Sequence, residues 1–191
     1  MKFNDHSAIA GKHSFLSPSS YHWLNYDLDK LADRYTTQMA AARGTALHEY
    51  AQMAIELGQK QPNNGLTISS YINDAIGFRM TPEQPLMYSF NCFGTADAIS
   101  FRRPKNRKKH LLRIHDLKTG VTKTSELQLY IYCAIFCLEY DFKPFDIDME
   151  CRIYQNDEVR IFEPTPDEIA HIMSTIVAFD NRIEELKREV E

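Results

Sequence analysis

Apolar positions along this chain change period several times, and each change marks an element. Residues 1 to 17 show no clear periodicity, whereas Pro18, set among Ser17, Ser19 and Ser20, predicts the entry to a first helix reaching about residue 34, with Tyr21, Trp23 and Leu24 on its apolar face. A second helix is predicted over 37–58 from Met39, Leu47, Tyr50, Ala51, Ala54 and Leu57, with Gly58 as its stop. Gln59 to Gly65, rich in Pro and Asn, reads as a loop, and a shorter helix follows to about residue 78. Strands are expected at 86–92 and 94–101, and a third, built on Leu111-Leu112-Arg113-Ile114-His115, ends at Lys118. Ser125-Glu126-Leu127-Gln128 carries a capping-box pattern that opens a helix to about Tyr140. A strand near 145–154, a turn at Asn156-Asp157 and a partner strand at 159–162 come next. Thr165-Pro166-Asp167-Glu168 then starts a last helix, with an N-cap, proline at the first position and acids in the first turn. Its stripe is Ile169, Ile172, Met173, Ile176, Phe179, Ile183 and Leu186. Helices before, within and after a strand cluster predict an α/β fold, a mixed central β-sheet flanked by helices. The expected organisation is a single domain over 1–191: N-terminal helices at about 18–80, a core at about 84–162 and a C-terminal helix at about 165–190.

Composition narrows the class. Hydrophobic residues at 43% and charged residues at 25% are ordinary globular values, which exclude a disordered chain. The longest apolar run, Leu129 to Leu138, falls far short of the roughly 18 to 20 residues a membrane span needs. The N-terminus has no basic flank followed by an apolar stretch and a small-residue cleavage site, so a cytoplasmic protein is expected. Cys92, Cys133, Cys137 and Cys151 show neither a CxxC pair nor zinc-site spacing and read as buried free thiols.

Charge is unevenly spread. Arg102, Arg103, Lys105, Arg107, Lys108 and Lys109 put six basic residues and no acid into one loop, so the rest of the chain carries −10 of a net −4. That loop joins two strands that each carry an acid, and phosphate contacts there would hold a nucleic-acid backbone near the acids. A loop kept soluble by its charge is the simpler reading of the same residues.

The acids are Asp97, closing Phe93-Gly94-Thr95-Ala96-Asp97, and Asp116, which follows the third apolar run. Side chains alternate along a strand, so Asp116 and Lys118 point to one side while Leu117 points away and leaves its carbonyl near the same site. If the two strands pair as a hairpin, Asp97 approaches Asp116 and the pair offers hard oxygen ligands suited to Mg²⁺ or Mn²⁺. Structural alternatives exist for each residue: a salt bridge for Asp116 and Lys118, and a turn for Asp97. His48, alone on a helix, would ordinarily be structural. Gln128 and Tyr132 share a helical face, where a capping partner and a core aromatic would serve equally well. His115 lies on the opposite strand face from Asp116 and is taken as structural.

Taken in order, Gly44-Thr45-Ala46-Leu47-His48, Gly94-Thr95-Ala96-Asp97, Asp116-Leu117-Lys118-Thr119-Gly120 and Gln128-Leu129-Tyr130-Ile131-Tyr132 resemble the successive motifs of the PD-(D/E)XK nuclease superfamily, in its RecB-like exonuclease branch. The resemblance covers roughly residues 40 to 140 and is close to the small stand-alone nucleases of phages and mobile elements. It implies a restriction-endonuclease-like core and a Mg²⁺- or Mn²⁺-dependent deoxyribonuclease, an exonuclease by its branch, acting in recombination, repair or phage DNA processing in a bacterial or phage-infected cell. In that reading Asp97, Asp116 and Lys118 are catalytic, and His48, Asp97, Asp116 and the Leu117 carbonyl hold the metal. Glu49, about 100° round the helix from His48, is the alternative ligand. Gln128 and Tyr132 would contact DNA or the lysine, Thr119 would offer a hydroxyl or amide to a phosphate, and the basic loop would track the backbone. Some relatives hold an iron–sulfur cluster with one early cysteine and three late ones; that spacing is absent here, and no cluster is expected. Processivity would come from a helicase or recombination partner or from a ring of copies. Two other classes compete: a nuclease-derived module that binds nucleic acid or protein without cutting, and a metal-dependent hydrolase of small phosphate esters.

Overall fold

The computed structural model describes Ser7, residues 14–105 and residues 108–190, with the side chain of Val190 left out. Arg107, one of the six loop cations, lies outside the described residues, as does most of the stretch before residue 14. The chain divides into two compact units, Met1–Arg43 and Gly44–Glu191.

In the first unit, Pro18 opens a short 3₁₀ helix, Pro18–Asn25, rather than the longer α-helix expected there. Tyr21 and Leu24 are exposed, so the predicted apolar face is not buried; Trp23 instead donates its indole N–H to the Ser17 carbonyl at 2.9 Å. The α-helix begins later, at Leu28, where the Asp27 carboxylate accepts the Lys30 amide at 2.7 Å in the manner of an N-cap. This α1, Leu28–Glu56, runs unbroken through the gap predicted near residue 36, because no proline interrupts it and alanines dominate its middle.

The second unit holds a five-stranded mixed sheet in the order β1-β2-β3-β4-β5, with β1 Thr81–Ser89, β2 Cys92–Arg102, β3 His110–Leu117, β4 Ile147–Gln155 and β5 Glu158–Phe162. Only β3 and β4 are parallel, and α3, Leu127–Glu139, is their crossover. β1 starts five residues before the expected strand, since Pro82 and Pro85 are tolerated on an edge strand. The first turn accordingly falls at Phe90-Asn91, and Phe93-Gly94 is continuous strand.

Two apolar clusters sandwich the sheet. Leu112, Ile114, Cys151 and Ile153 pack with Leu129, Cys133 and Phe136 of α3 and with Ile169 of α4, Pro166–Val190. Ala98, Leu117 and Tyr154 pack with Ala51, Ala54 and Ile55 of α1 and with Tyr71, Ile72 and Ala75 of α2, Thr67–Gly77. Large side chains predicted to seat α1, namely Met39, Tyr50 and Leu57, are exposed; its buried face is Ile55 with Gly44, Ala51 and Ala54, three small residues that let the backbone approach closely. α4 is capped by a reciprocal pair, Thr165 N–H to Glu168 Oε2 at 2.8 Å and Glu168 N–H to Thr165 Oγ1 at 3.3 Å. Its stripe is covered only as far as Ile176, and Phe179, Ile183 and Leu186 are exposed. Cys133, Cys137 and Cys151 are buried as expected, but Cys92 is only half-buried. Among the described residues no helix is long and apolar enough to cross a membrane.

Candidate metal centre

Strand register brings three acids into one row. Pairing of Pro82 with Ala98 and of Gln84 with Ala96 places Glu83 opposite Asp97. Pairing of Ala98 with His115, carried one step further, places Asp97 opposite Asp116. The hairpin expected from the sequence therefore forms, and it aligns both predicted aspartates with a glutamate from the edge strand. His48 comes from α1, one turn from Gly44 and Ala51 on the helix's close-packed face, with Nδ1 3.5 Å from Asp97 Oδ2 and 3.9 Å from Glu83 Oε1. One ligand atom from each of His48, Glu83 and Asp97 lies within 4.8 Å of the others. Glu49 is exposed and outside that cluster, so His48 is the helix residue turned to the acids.

Asp97 is anchored by its neighbour strand, accepting the Leu117 amide at Oδ2 over 2.8 Å. Burial first, and the charge of Asp116 second, push its carboxyl up to about 6, against the opposing pull of the Leu117 amide and His48. Asp116 is buried, with 3% of its surface exposed; Oδ1 meets Lys118 Nζ at 2.9 Å, and Oδ2 has no hydrogen-bond partner among the described residues. A buried carboxylate oxygen left unsatisfied is costly, and a cation beside it would remove that cost. Burial pushes the Tyr71 phenol up, and the charges of Asp97, Glu83 and Asp116 push it further.

Lys118 is held between Asp116 and Gln128 Oε1, the latter at 3.1 Å. Gln128 is therefore not the capping partner of Ser125, whose Oγ instead accepts the Leu127 amide at 3.2 Å. Tyr132, one turn further on, donates its hydroxyl to the Thr95 carbonyl at 2.7 Å. Its ring lies so close to Gly94 that a Cβ there would sit 3.0 Å from Cε1, which accounts for glycine immediately before Thr95 in the Gly94-Thr95-Ala96-Asp97 motif. Gly44 serves likewise, since a Cβ would come within 2.7 Å of Thr119 Oγ1. The α3 residues thus position the lysine and β2, and Thr119 packs against α1. His115 is fully buried: it shares a 3.1 Å hydrogen bond with the Tyr154 hydroxyl, its Nε2 has no hydrogen-bond partner among the described residues, and burial, then Arg152 and Arg113, hold its pKa well below the usual histidine range.

The basic loop does not sit beside the acids. It follows Arg102, which pairs with Leu111, whereas Asp97 and Asp116 lie five residue pairs away, about 17 Å at strand spacing. Joining both strands told nothing of which end of the hairpin the loop occupies, and it closes the far end. Arg102 is also committed to the Arg79 carbonyl at 3.1 Å, and Lys109 to the Phe145 carbonyl. Arg103, Lys105 and Lys108 remain exposed and could meet a polymer only several nucleotides from the acids.

Glu83 is the site residue that sequence reading misses. It stands between Pro82 and Pro85 in a segment with no alternating pattern, and it backs onto the site through cross-strand register rather than through any local motif. No protein-family model, curated protein or solved structure matches this chain.

The raised Asp97 pKa gives a pH prediction. A carboxyl at about 6 in the folded state and 3.8 unfolded binds its proton more tightly when folded, so metal-free stability should fall as pH rises from about 4 to 6. The decline is about 2–3 kcal/mol. Denaturant titrations in EDTA across that range should show it, and Asp97→Asn should flatten it.

Proposed function

We propose that this protein is a Mg²⁺- or Mn²⁺-dependent deoxyribonuclease built on a restriction-endonuclease-like core. The observation that carries the reading is the juxtaposition, at one end of the β2–β3 hairpin, of Asp97, a buried Asp116 with an unsatisfied Oδ2, and Lys118 held 2.9 Å from Asp116. The donor set fits a divalent ion of this kind: carboxylate oxygens with one imidazole suit Mn²⁺ and Mg²⁺, and among the described residues the cluster of His48, Glu83 and Asp97 includes no cysteine. Asp97, Asp116, His48 and the Leu117 carbonyl would hold the ion, which supplies Lewis acidity for water activation and for charge on the leaving oxygen. Lys118 does the remaining work: its ammonium, fixed by Asp116 and Gln128, is placed to donate to the attacking water or to a phosphoryl oxygen as charge develops. Gln128 and Tyr132 keep α3 registered on β2, so the lysine cannot drift from the acids. Exonuclease action and a helicase or recombination partner belong to the same reading, with the exposed cations of the loop engaging the backbone away from the cut.

Digestion of end-labelled single- and double-stranded DNA tests it. Cleavage should require Mn²⁺ or Mg²⁺, stop in EDTA and disappear in Asp97→Asn. Ladders of short products from the outset would assign endonuclease action, and mononucleotides from one end exonuclease action. DNA binding without cleavage under any metal would favour the non-cutting module.

A further inference from the structure

Along α4 the apolar residues keep a seven-residue repeat. Ile169, Ile176 and Ile183 recur at one position, and Ile172, Phe179 and Leu186 follow three residues after each, which are the a and d positions of a heptad. The core of the sheet covers the first half of this seam, as far as Ile176. Its second half has no such cover among the described residues: Phe179 is 66% exposed, Leu186 42% and Ile183 38%. The β1–β2 turn lies alongside, with Asn91 Nδ2 donating to Asp180 Oδ1 at 2.8 Å and to Glu184 Oε1 at 2.7 Å. Asp180 and Glu184 stand about 60° and 100° round the helix from Ile183. The turn therefore flanks the seam and steadies this end of α4 without closing it. A helix folded and fixed in this way presents its apolar stripe with little further ordering cost.

The charges beside the seam select its occupant. Asp180 and Lys187 fill the e positions on one flank, and Arg182 and Glu189 the g positions on the other. We propose that the second half of α4 pairs antiparallel with the same stretch of a second copy of this chain, in a two-fold dimer with Ile183 against the partner's Leu186. In that register e faces e and g faces g, so Arg182 stands opposite the partner's Glu189 and Asp180 opposite the partner's Lys187, and the symmetry repeats both contacts. Sliding the pair by one heptad sets like charges face to face, Asp180 on Asp180 and Arg182 on Arg182 one way, Lys187 on Lys187 and Glu189 on Glu189 the other. Parallel pairing sets Arg182 against the partner's Lys187. Of these four arrangements only the first is free of repulsion, and a surface complementary to itself calls for its own copy. Within one chain the flanking charges pair locally, Arg182 with Glu185 at 2.9 Å and Glu189 at 3.3 Å, and Lys187 with Glu184 at 2.7 Å. Exposed pairs of this kind contribute little, so exchanging them for contacts across the dimer costs little. The dimer is independent of the nuclease reading.

Sedimentation equilibrium of the full chain, from low micromolar to about 1 mM protein, tests this. Wild type should pass from monomer to dimer and no further, and Ile183→Glu should stay monomeric with the circular dichroism of wild type. Arg182→Glu and Glu189→Arg, each alone, should weaken the dimer about tenfold or more, because like charges then meet at both symmetric contacts. Mixed in equal amounts, these two variants should form a heterodimer of about wild-type strength, since opposite charges face one another again at both contacts. Loss of the Arg182–Glu189 pair within each helix cannot produce that recovery. Wild type that remains monomeric throughout would overturn the dimer and leave the stripe to a different protein. Tighter association of Arg182→Glu, as parallel helices would give, or no recovery on mixing, would overturn the antiparallel register.

Discussion

Asp116→Asn should lower Mn²⁺-dependent DNA cleavage by about a thousandfold, roughly 4 kcal/mol of transition-state stabilisation, while leaving the metal-free protein as stable as wild type. The two halves come from one geometry. Asp116 is buried, and Lys118 pairs with only one of its oxygens, the other having no partner among the described residues and so being left for a metal ion. Asparagine keeps the shape, keeps an oxygen for Lys118 and removes the charge, so melting in EDTA should be unchanged or higher. What is lost is the hard anionic oxygen that the proposed ion would take. End-labelled DNA digestion and thermal denaturation in EDTA read the two effects separately. A variant that cuts as fast as wild type would remove Asp116 from the site, and one that unfolds in EDTA would make the residue a structural ion-pair partner.

Lys118→Met should lose cleavage about a hundredfold or more and, unlike Asp116→Asn, should destabilise the metal-free protein by about 2–3 kcal/mol. Among the described residues Lys118 Nζ is the one partner of Asp116 Oδ1, and removing it strands a buried carboxylate with both oxygens unpaired there. The lower end of the range applies because the lysine side chain is 27% exposed and part of its charge is already screened. Two further results separate this account from a simple loss of packing. Saturating Mn²⁺ should restore most of the lost stability, since the ion replaces the ammonium as countercharge. The double variant Asp116→Asn with Lys118→Met should be more stable in EDTA than Lys118→Met alone, which denaturant unfolding of the four proteins would measure.

Much of the site was legible because its signals are local. Asp116 and Lys118 are two apart on one strand, and the observed 2.9 Å contact follows from period-two alternation. The Asn156-Asp157 turn, both residues with positive φ, and the Thr165 helix start were readable for the same reason: a few adjacent residues fix the backbone. What escaped depends on tertiary distance. Glu83 joins the site only through the pairing of β1 with β2, and its proline neighbours disguise the strand. α1 is seated by Gly44, Ala51 and Ala54, whereas hydropathy favours the exposed Tyr50 and Leu57, because close approach rewards smallness. Gln128 fits a capping box on paper, but a lysine within 3.1 Å competes successfully for its oxygen. The α4 stripe continues past Ile176 to the exposed Phe179 because hydropathy alone does not reveal where the covered part of a helix stops.

Asp97 and Asp116 are proposed to share a divalent ion, and a crystal soaked in Mn²⁺ near neutral pH tests that most directly. An anomalous peak about 2.0–2.6 Å from carboxylate oxygens of both aspartates is the predicted result. An intact, well-ordered crystal with no peak there, or with manganese bound only at surface carboxylates elsewhere, would contradict it.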